Sequence, residues 1–382
     1  MRSIKLSIAT VACALMPAMT LAQGTLSTQG FGYPPGQMSA RALATGGGLT
    51  EFDADTPINP ASIALTGEPR LFLQYEPEFR KFTNGSLSAS TTTSRFPLIG
   101  VQVPAGSHAT VGLSASTFLD RSSSTKVSRT LSVAGDTVTA NETNRVEGAI
   151  NDIRLAIGYT PNQKVQIGLG GHVFTGQNRD HFSQTFPAER KFSNILQIET
   201  LAFTGYGVSA GLVLRPSKVF GIGISGMKGA GISTHVGDTL VSEANVPDRY
   251  SAGISYEGIP GSSISAHISH DQWSKLNGLG TAGAVAVDAW DAGGGVEAIG
   301  PQIAARPTIL RLGARYRTLP FVVSGGKVKE LSFSGGVGAQ FFRNRASFDM
   351  TLERSMRTAD ASAVAGVKER AYILSFGLRV RP

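Results

Sequence analysis

The sequence predicts an all-β protein: a transmembrane antiparallel barrel of about fourteen strands with a small helical plug in its lumen. Three observations lead there. Charged residues make up 16 % of the 382-residue chain, against roughly a quarter in soluble domains. Apolar residues make up 41 %, yet beyond the N-terminus they never run unbroken for the roughly 18 residues a membrane helix needs. From about residue 69 onward, apolar residues alternate with polar or small ones, and the 46 glycines disfavour helix.

The first element is expected to be an export signal, residues 1–22. Arg2 and Lys5 form a basic start, Ile8 to Met19 a short apolar run, and Thr20-Leu21-Ala22 place small residues at −3 and −1 of a cut before Gln23. Cys13, the single cysteine, falls inside it, and the apolar run ahead of it is too short for a lipoprotein signal. The mature chain then holds no thiol for a disulfide, metal site or nucleophile. The net charge of +8 becomes +6 after cleavage. Its basic residues are scattered and form no stripe of the kind a nucleic-acid groove requires, so no nucleic-acid partner is expected.

Residues 23–68 break the alternation. Ser39 to Ala44 reads as a short capped helix stopped by Gly46-Gly47-Gly48. Asn59 reads as an N-cap with Pro60 at the first helical position, opening a turn through Ala61, Ser62 and Ile63. The segment is too small to hold its own core. It must bury itself against something, and a barrel lumen is the concave surface at hand.

The strands follow. Val165, Ile167, Leu169 and Val173 alternate with Gln166, Gly168, Gly170 and His172, and Tyr372 to Val380 alternate with Ala371 to Arg379. Strands are expected near 69–82, 94–104, 107–120, 145–160, 163–178, 198–215, 218–235, 247–257, 261–273, 282–298, 306–318, 329–343, 345–357 and 368–381. Short turns such as Pro104-Ala105-Gly106, Pro161-Asn162-Gln163 and Ile259-Pro260-Gly261 interleave with longer links, 121–144 and 179–197. Short turns on one rim and long loops on the other form the outer-membrane pattern. An even count closes the sheet with both ends on the periplasmic side, and closure removes the edges that lipid cannot satisfy. Residues 121–144 are ambiguous and read as a hairpin extended above the membrane; Gly-rich 282–298 is the other ambiguous piece.

Three stretches resemble the FadL-type family of outer-membrane transporters. GFGYPPGQMSARALATGGGLTEFDADTPINPASIAL carries Asn59-Pro60-Ala61, which matches the family's NPA plug motif. VPDRYSAGISYEGIPGSSISAHISHDQWSKLNGL, 246–279, looks like the family's strand, short turn and strand ending in a Trp-Ser pair, here Trp273-Ser274, and a Gly- and aromatic-rich series runs from ILRLGARYR to YILSFGLRV. The resemblance implies a plug at 23–68, a monomeric barrel at 69–382 inserted by the barrel-assembly machinery among outer-membrane lipids, and no cofactor. It implies passive uptake of a hydrophobic small molecule, a long-chain fatty acid or an aromatic hydrocarbon, by lumenal binding and sideways release at a kink in the third strand. Gly112, the only internal glycine of that strand, is the candidate kink. The chain departs from the family in lacking a terminal aromatic: Phe376 is the last one, and the end reads Arg379-Val380-Arg381-Pro382. The family's ligand contacts do not carry across. The rival reading is a barrel of the same fold that serves as a docking or shuttle partner in protein secretion to the surface.

Other features read blandly. Gly221-Ile-Gly223-Ile-Ser-Gly226 matches a dinucleotide fingerprint but lies in a strand with no helix after it, so glycines facing a crowded lumen explain it better. His267 and His270 are three apart and face opposite sides of a strand. Trp273, Tyr316, Tyr372, Phe341 and Phe342 read as interfacial girdle aromatics, with Trp273 at an extracellular strand end. No Ser/His/Asp arrangement stands out, so no enzyme, catalytic residue or metal site is expected.

Overall fold

The computed structural model describes residue 26 and residues 31–133, 136–190, 192–279, 285–303, 306–323, 325–342, 345–360 and 367–382. The expected export signal and Cys13 lie outside them. Among the described residues, sixteen strands form one antiparallel sheet: β1 Arg70–Asn84, β2 Leu87–Pro104, β3 Ala109–Asp120, β4 Ser123–Val133, β5 Asp136–Asn162, β6 Val165–Thr185, β7 Ile195–Leu214, β8 Phe220–Val236, β9 Thr239–Asn245, β10 Arg249–Ile259, β11 Ser262–Asp271, β12 Ala289–Ile303, β13 Arg306–Val323, β14 Gly326–Phe341, β15 Ala346–Ala359 and β16 Val367–Val380.

Fourteen of them close a ring. β1 pairs with β16 from Leu71↔Val380 to Asn84↔Val367, and β8 pairs directly with β10. β4 and β9 stand outside the ring as outer extensions, β4 on the first part of β5 and β9 on the end of β8. Each expected strand has a counterpart, and 121–144 is the β4–β5 hairpin.

The faces are inverted relative to a soluble core. On β5, Ile153, Leu155 and Ile157 point out and are exposed, while Asp152, Arg154 and Ala156 point in and are buried. The pattern repeats on β6, where Leu169 is 63 % exposed and His172 is buried, and on β13, where Leu312 is 65 % exposed and Arg311, Arg315 and Arg317 are buried. An apolar wall of this extent suits hydrocarbon, with polar side chains turned to the lumen.

Residues 31–65 pack inside the ring. Helix α1, Ala40–Ala44, packs against β13 to β16. Its N-cap Ser39 accepts from the Ala42 amide at 3.1 Å, and Gly46 and Gly47 leave it at φ +60° and +84°, where a side chain would be strained. A 3₁₀ turn, Pro60–Leu65, packs against β3, β5, β6 and β7.

Candidate functional site

The barrel is shaped around the N-terminal segment at Asn59. Its Oδ1 caps the 3₁₀ turn, accepting from the Ala61 amide at 2.9 Å, and its Nδ2 donates to Glu51 Oε2 at 2.9 Å. The wall beneath is bare: a Cβ at Gly211 would collide with Asn59 Oδ1, and one at Gly168 with the backbone of Pro60 and Ala61. Glu51 is fully buried and accepts from Ser225 Oγ at 3.1 Å and from Ser251 Oγ. Burial raises its carboxyl above the ordinary range, and the Ser251, Ser225 and Asn59 donors only partly offset this. Gly221 and Gly223 make room for Phe52 and Glu51, while Gly226 lies away from the segment. The fingerprint-like glycines therefore serve packing.

Higher in the lumen, Tyr33 sits inside a cage of four arginines. The guanidiniums of Arg357, Arg80, Arg317 and Arg95 lie 4.5, 4.8, 5.2 and 5.5 Å from its ring centroid. Its hydroxyl accepts from Arg317 and Arg357 and donates to Glu330 at 3.3 Å. Burial pushes the phenol up to about 12 despite Arg317 and Arg357, which keeps it a neutral donor. Glu76, Glu78, Glu330 and Glu369 balance the arginines through bonds of 2.5 to 3.1 Å. The cage gathers residues from β1, β2, β13, β14, β15 and β16 around one side chain of the segment, so it ties the segment to nearly half the ring.

Toward the loop rim the lumen is aromatic. Phe31 stacks on Phe321 at 4.8 Å, and Phe118 stacks on Trp273 at 5.1 Å and meets Phe174 edge-on at 5.0 Å. This corrects the girdle reading of Trp273. It is 2 % exposed because it sits on a 3₁₀ turn, Trp273–Leu276, that folds inward over the lumen. Trp290 is the outward-facing indole, 53 % exposed and packed on His270. Tyr316, Tyr372 and Phe342 do face outward.

The third strand is irregular, but not at Gly112. That glycine keeps a regular ladder to Gln102 and Ala156 and faces Ile63. The register shifts between Thr117 and Leu119, where Phe118 is the extra residue of a bulge. The faces stop alternating around the bulge, and Ser116 to Asp120 are all buried. The β2–β3 ladder ends there too, running only from Pro104↔Thr110 to Leu98↔Ser116 and leaving β2 unpaired on that side above Leu98. Phe96, beside the break, is 67 % exposed, which places the start of the gap within the apolar wall.

Two depressions are not lumenal ligand sites. An apolar groove of about 750 Å³ over Gly171, between Leu155, Leu169, Val208 and Tyr250, lies on the outer wall and faces lipid. A polar cleft of about 610 Å³ separates β2 from the β4–β5 hairpin above the break. Inside, a cavity of about 30 Å³ beside Arg249, Ser251 and His267 has room for little more than water. The fold also assembles a constellation that the sequence reading did not find: Asp152, His172 and Ser209 from three neighbouring strands. His267 points into the lumen, whereas His270 packs on outward-facing Trp290.

No family model matches the chain, and no curated protein sequence matches it. Solved structures do. A Pseudomonas aeruginosa FadL homologue superposes with a TM-score of 0.63 at 14 % identity, over 92 % of this chain and 99 % of that one. The Pseudomonas putida toluene transporter TodX gives 0.57 at 13 % identity over 92 % and 99 %, and the Ralstonia pickettii toluene transporter TbuX 0.54 at 12 % over 90 % and 98 %. At these identities the likeness is one of architecture: this chain has the fold of the FadL-type outer-membrane barrels.

Proposed function

We propose that the protein takes up hydrophobic compounds passively across the outer membrane, binding them in the lumen and releasing them sideways into the bilayer. The ligand class is long-chain fatty acids or aromatic hydrocarbons; similar structures include two named as toluene transporters. The observation that carries this reading is the interrupted β2–β3 ladder. Unpaired strand edges are costly in hydrocarbon and persist where function requires them. This one begins beside Phe118, a member of the lumenal aromatic cluster, so an apolar solute has a greasy route from lumen to lipid. In this reading residues 1–22 are an export signal cut near Ala22, 23–68 a plug seated by Asn59-Pro60-Ala61, and 69–382 a monomeric barrel inserted by the assembly machinery. Ligand entry displaces Phe31 from Phe321.

Deleting Phe118 takes the extra residue out of the bulge and lets the ladder extend. Uptake of labelled palmitate and of toluene into proteoliposomes is expected to fall to the level of empty vesicles. Uptake unchanged by the deletion refutes lateral release at this place, and a wild type no faster than empty vesicles for either compound refutes transport. The filled lumen favours a second reading, a docking or shuttle partner for secreted proteins. That reading expects no uptake in the same vesicles, together with surface display of a client that depends on the barrel.

A further inference from the structure

Asp152, His172 and Ser209 stand on β5, β6 and β7, all inward and all buried. The ladders place Arg154 opposite His172 and Gly207 opposite His172, with Ser209 opposite Gly170. Each functional side chain thus reaches diagonally to the next strand across a small neighbour. His172 Nδ1 lies 2.8 and 3.0 Å from the two carboxylate oxygens of Asp152, and Nε2 lies 2.8 Å from Ser209 Oγ. A carboxylate only accepts, so Nδ1 carries a proton; when the ring holds no second proton, Nε2 accepts from Ser209 Oγ. That order, hydroxyl to imidazole to carboxylate, is the arrangement of an activated nucleophile.

A plain polar network accounts for these three bonds but not for Arg154. The residue is 3 % exposed, and its Nε and Nη1 have no hydrogen-bond partner among the described residues. Leaving buried charged donors unmet is costly. Arg154 and Ser209 both pack over Gly170, where an added Cβ would sit 2.6 Å from Ser209 Oγ and 3.5 Å from Arg154 Cδ. Unmet cationic donors on a side chain that packs over the same small residue as Ser209 are the group a developing oxyanion calls for. A fourth residue reaches the carboxylate end of the group. Gln37 of the N-terminal segment donates to Asp152 Oδ2 at 3.0 Å and to Ser116 Oγ at 2.8 Å, and accepts from Arg249 at 3.3 Å. It does so at φ +54°, one of two described non-glycine residues with positive φ.

We propose that this group hydrolyses carboxylic esters of hydrophobic alcohols or acids that enter the lumen. Ser209 Oγ bonds to the ester carbonyl carbon as its proton passes to His172 Nε2, and the carbonyl electron pair moves to an oxygen held by Arg154. The carbon–alkoxy bond breaks and the alcohol leaves with the proton from Nε2. Water then bonds to the acyl carbon, gives a proton to Nε2, and the acyl–Ser209 bond breaks as Oγ takes that proton back. One ester and one water yield one acid and one alcohol. Gln37 acts as a cover that lifts when the segment shifts. Delivery of the ester to the lumen rests on the uptake reading; the chemistry does not.

The test uses the full chain in detergent micelles, with p-nitrophenyl butyrate and hexanoate as substrates and a fluorophosphonate as covalent probe. One probe per chain is expected on Ser209 by peptide mass spectrometry, absent in Ser209→Ala. Ester turnover is expected to fall by about 10³-fold in Ser209→Ala and His172→Ala. Gln37→Gly, which relaxes the strained residue and removes the cover, is expected to raise both labelling and turnover. Heat-modifiable gel mobility establishes that each variant is a closed barrel. No adduct on Ser209 in either the wild type or Gln37→Gly, both folded, overturns the proposal. Turnover in detergent without uptake into vesicles counts against the transport reading alone, and uptake without an adduct counts against this one alone.

Discussion

Asn59→Ala isolates what seats the N-terminal segment. The substitution deletes the cap bond to the Ala61 amide, 2.9 Å, whose loss costs about 1 kcal/mol. It also deletes the 2.9 Å donor to Glu51 Oε2, and a buried acceptor left without that donor costs about 1–3 kcal/mol. The two remaining contacts, to Glu51 O at 3.3 Å and Leu212 O at 3.4 Å, are long and add little. The segment should therefore lose about 2–4 kcal/mol of seating energy, which multiplies its released population about 30- to 700-fold at a decade per 1.4 kcal/mol. The barrel should not feel this, because Asn59 belongs to no strand ladder. Amide hydrogen exchange read by mass spectrometry is the assay: residues 59–65 should exchange faster while peptides from β13 to β16 keep their protection. Ion conductance of single barrels in planar bilayers should rise in parallel. Exchange of 59–65 no faster than in the wild type refutes the seating argument, and faster exchange with unchanged conductance refutes the plug role.

Four further outcomes are expected. Burial raises the Glu51 carboxyl above its ordinary value of 4.5 in the seated state, so seating holds the proton more tightly than release does. Seating is then strongest below the ordinary value and weakens as pH rises through the raised one; the protection factor of the segment, exchange divided into the intrinsic rate at each pH, should fall along that rise in the wild type and stay level in Glu51→Gln. Gly211→Val puts side-chain atoms where Asn59 lies, and it should expel the turn as Asn59→Ala does while leaving gel mobility of the closed barrel unchanged. Tyr33→Phe removes the hydroxyl shared by Arg317, Arg357 and Glu330 and should cost about 1–3 kcal/mol, read as a lower melting temperature of the segment's protection with the arginine–ring contacts retained. Brominated lipid should quench Trp290 but not Trp273: the emission of Trp290→Phe should be insensitive to it, and quenching there would put Trp273 back at the membrane interface.

Much of the fold was legible because period two is a local property. Alternation of Ile153, Leu155 and Ile157 with Asp152, Arg154 and Ala156 requires no knowledge of neighbouring strands, and fourteen such runs predict a ring. The Asn59-Pro60 start was legible for the same reason, since a cap bonds two residues away. Register is different. Which residue meets which across a ladder depends on every turn and bulge between them, and one slipped residue exchanges the faces. The bulge at Phe118 has no glycine or proline to announce it, and so Gly112 drew the expectation instead. Trp273 looked like a strand end because the inward fold of its turn is decided by the aromatic rings it lands on, Phe118 and Phe321.

By itself, then, the sequence determined that this is a lipid-facing barrel with one segment that cannot fold alone. The tertiary structure decided what meets inside. Asp152 and His172 are 20 residues apart and His172 and Ser209 are 37 apart, and only the β5–β6 and β6–β7 registers bring them within hydrogen-bond reach. The same holds for Tyr33, whose cage draws on six strands. Polar side chains turned into a narrow lumen, cut off from bulk water, must find partners across the ring, and a one-dimensional pattern records that they point inward without recording whom they meet.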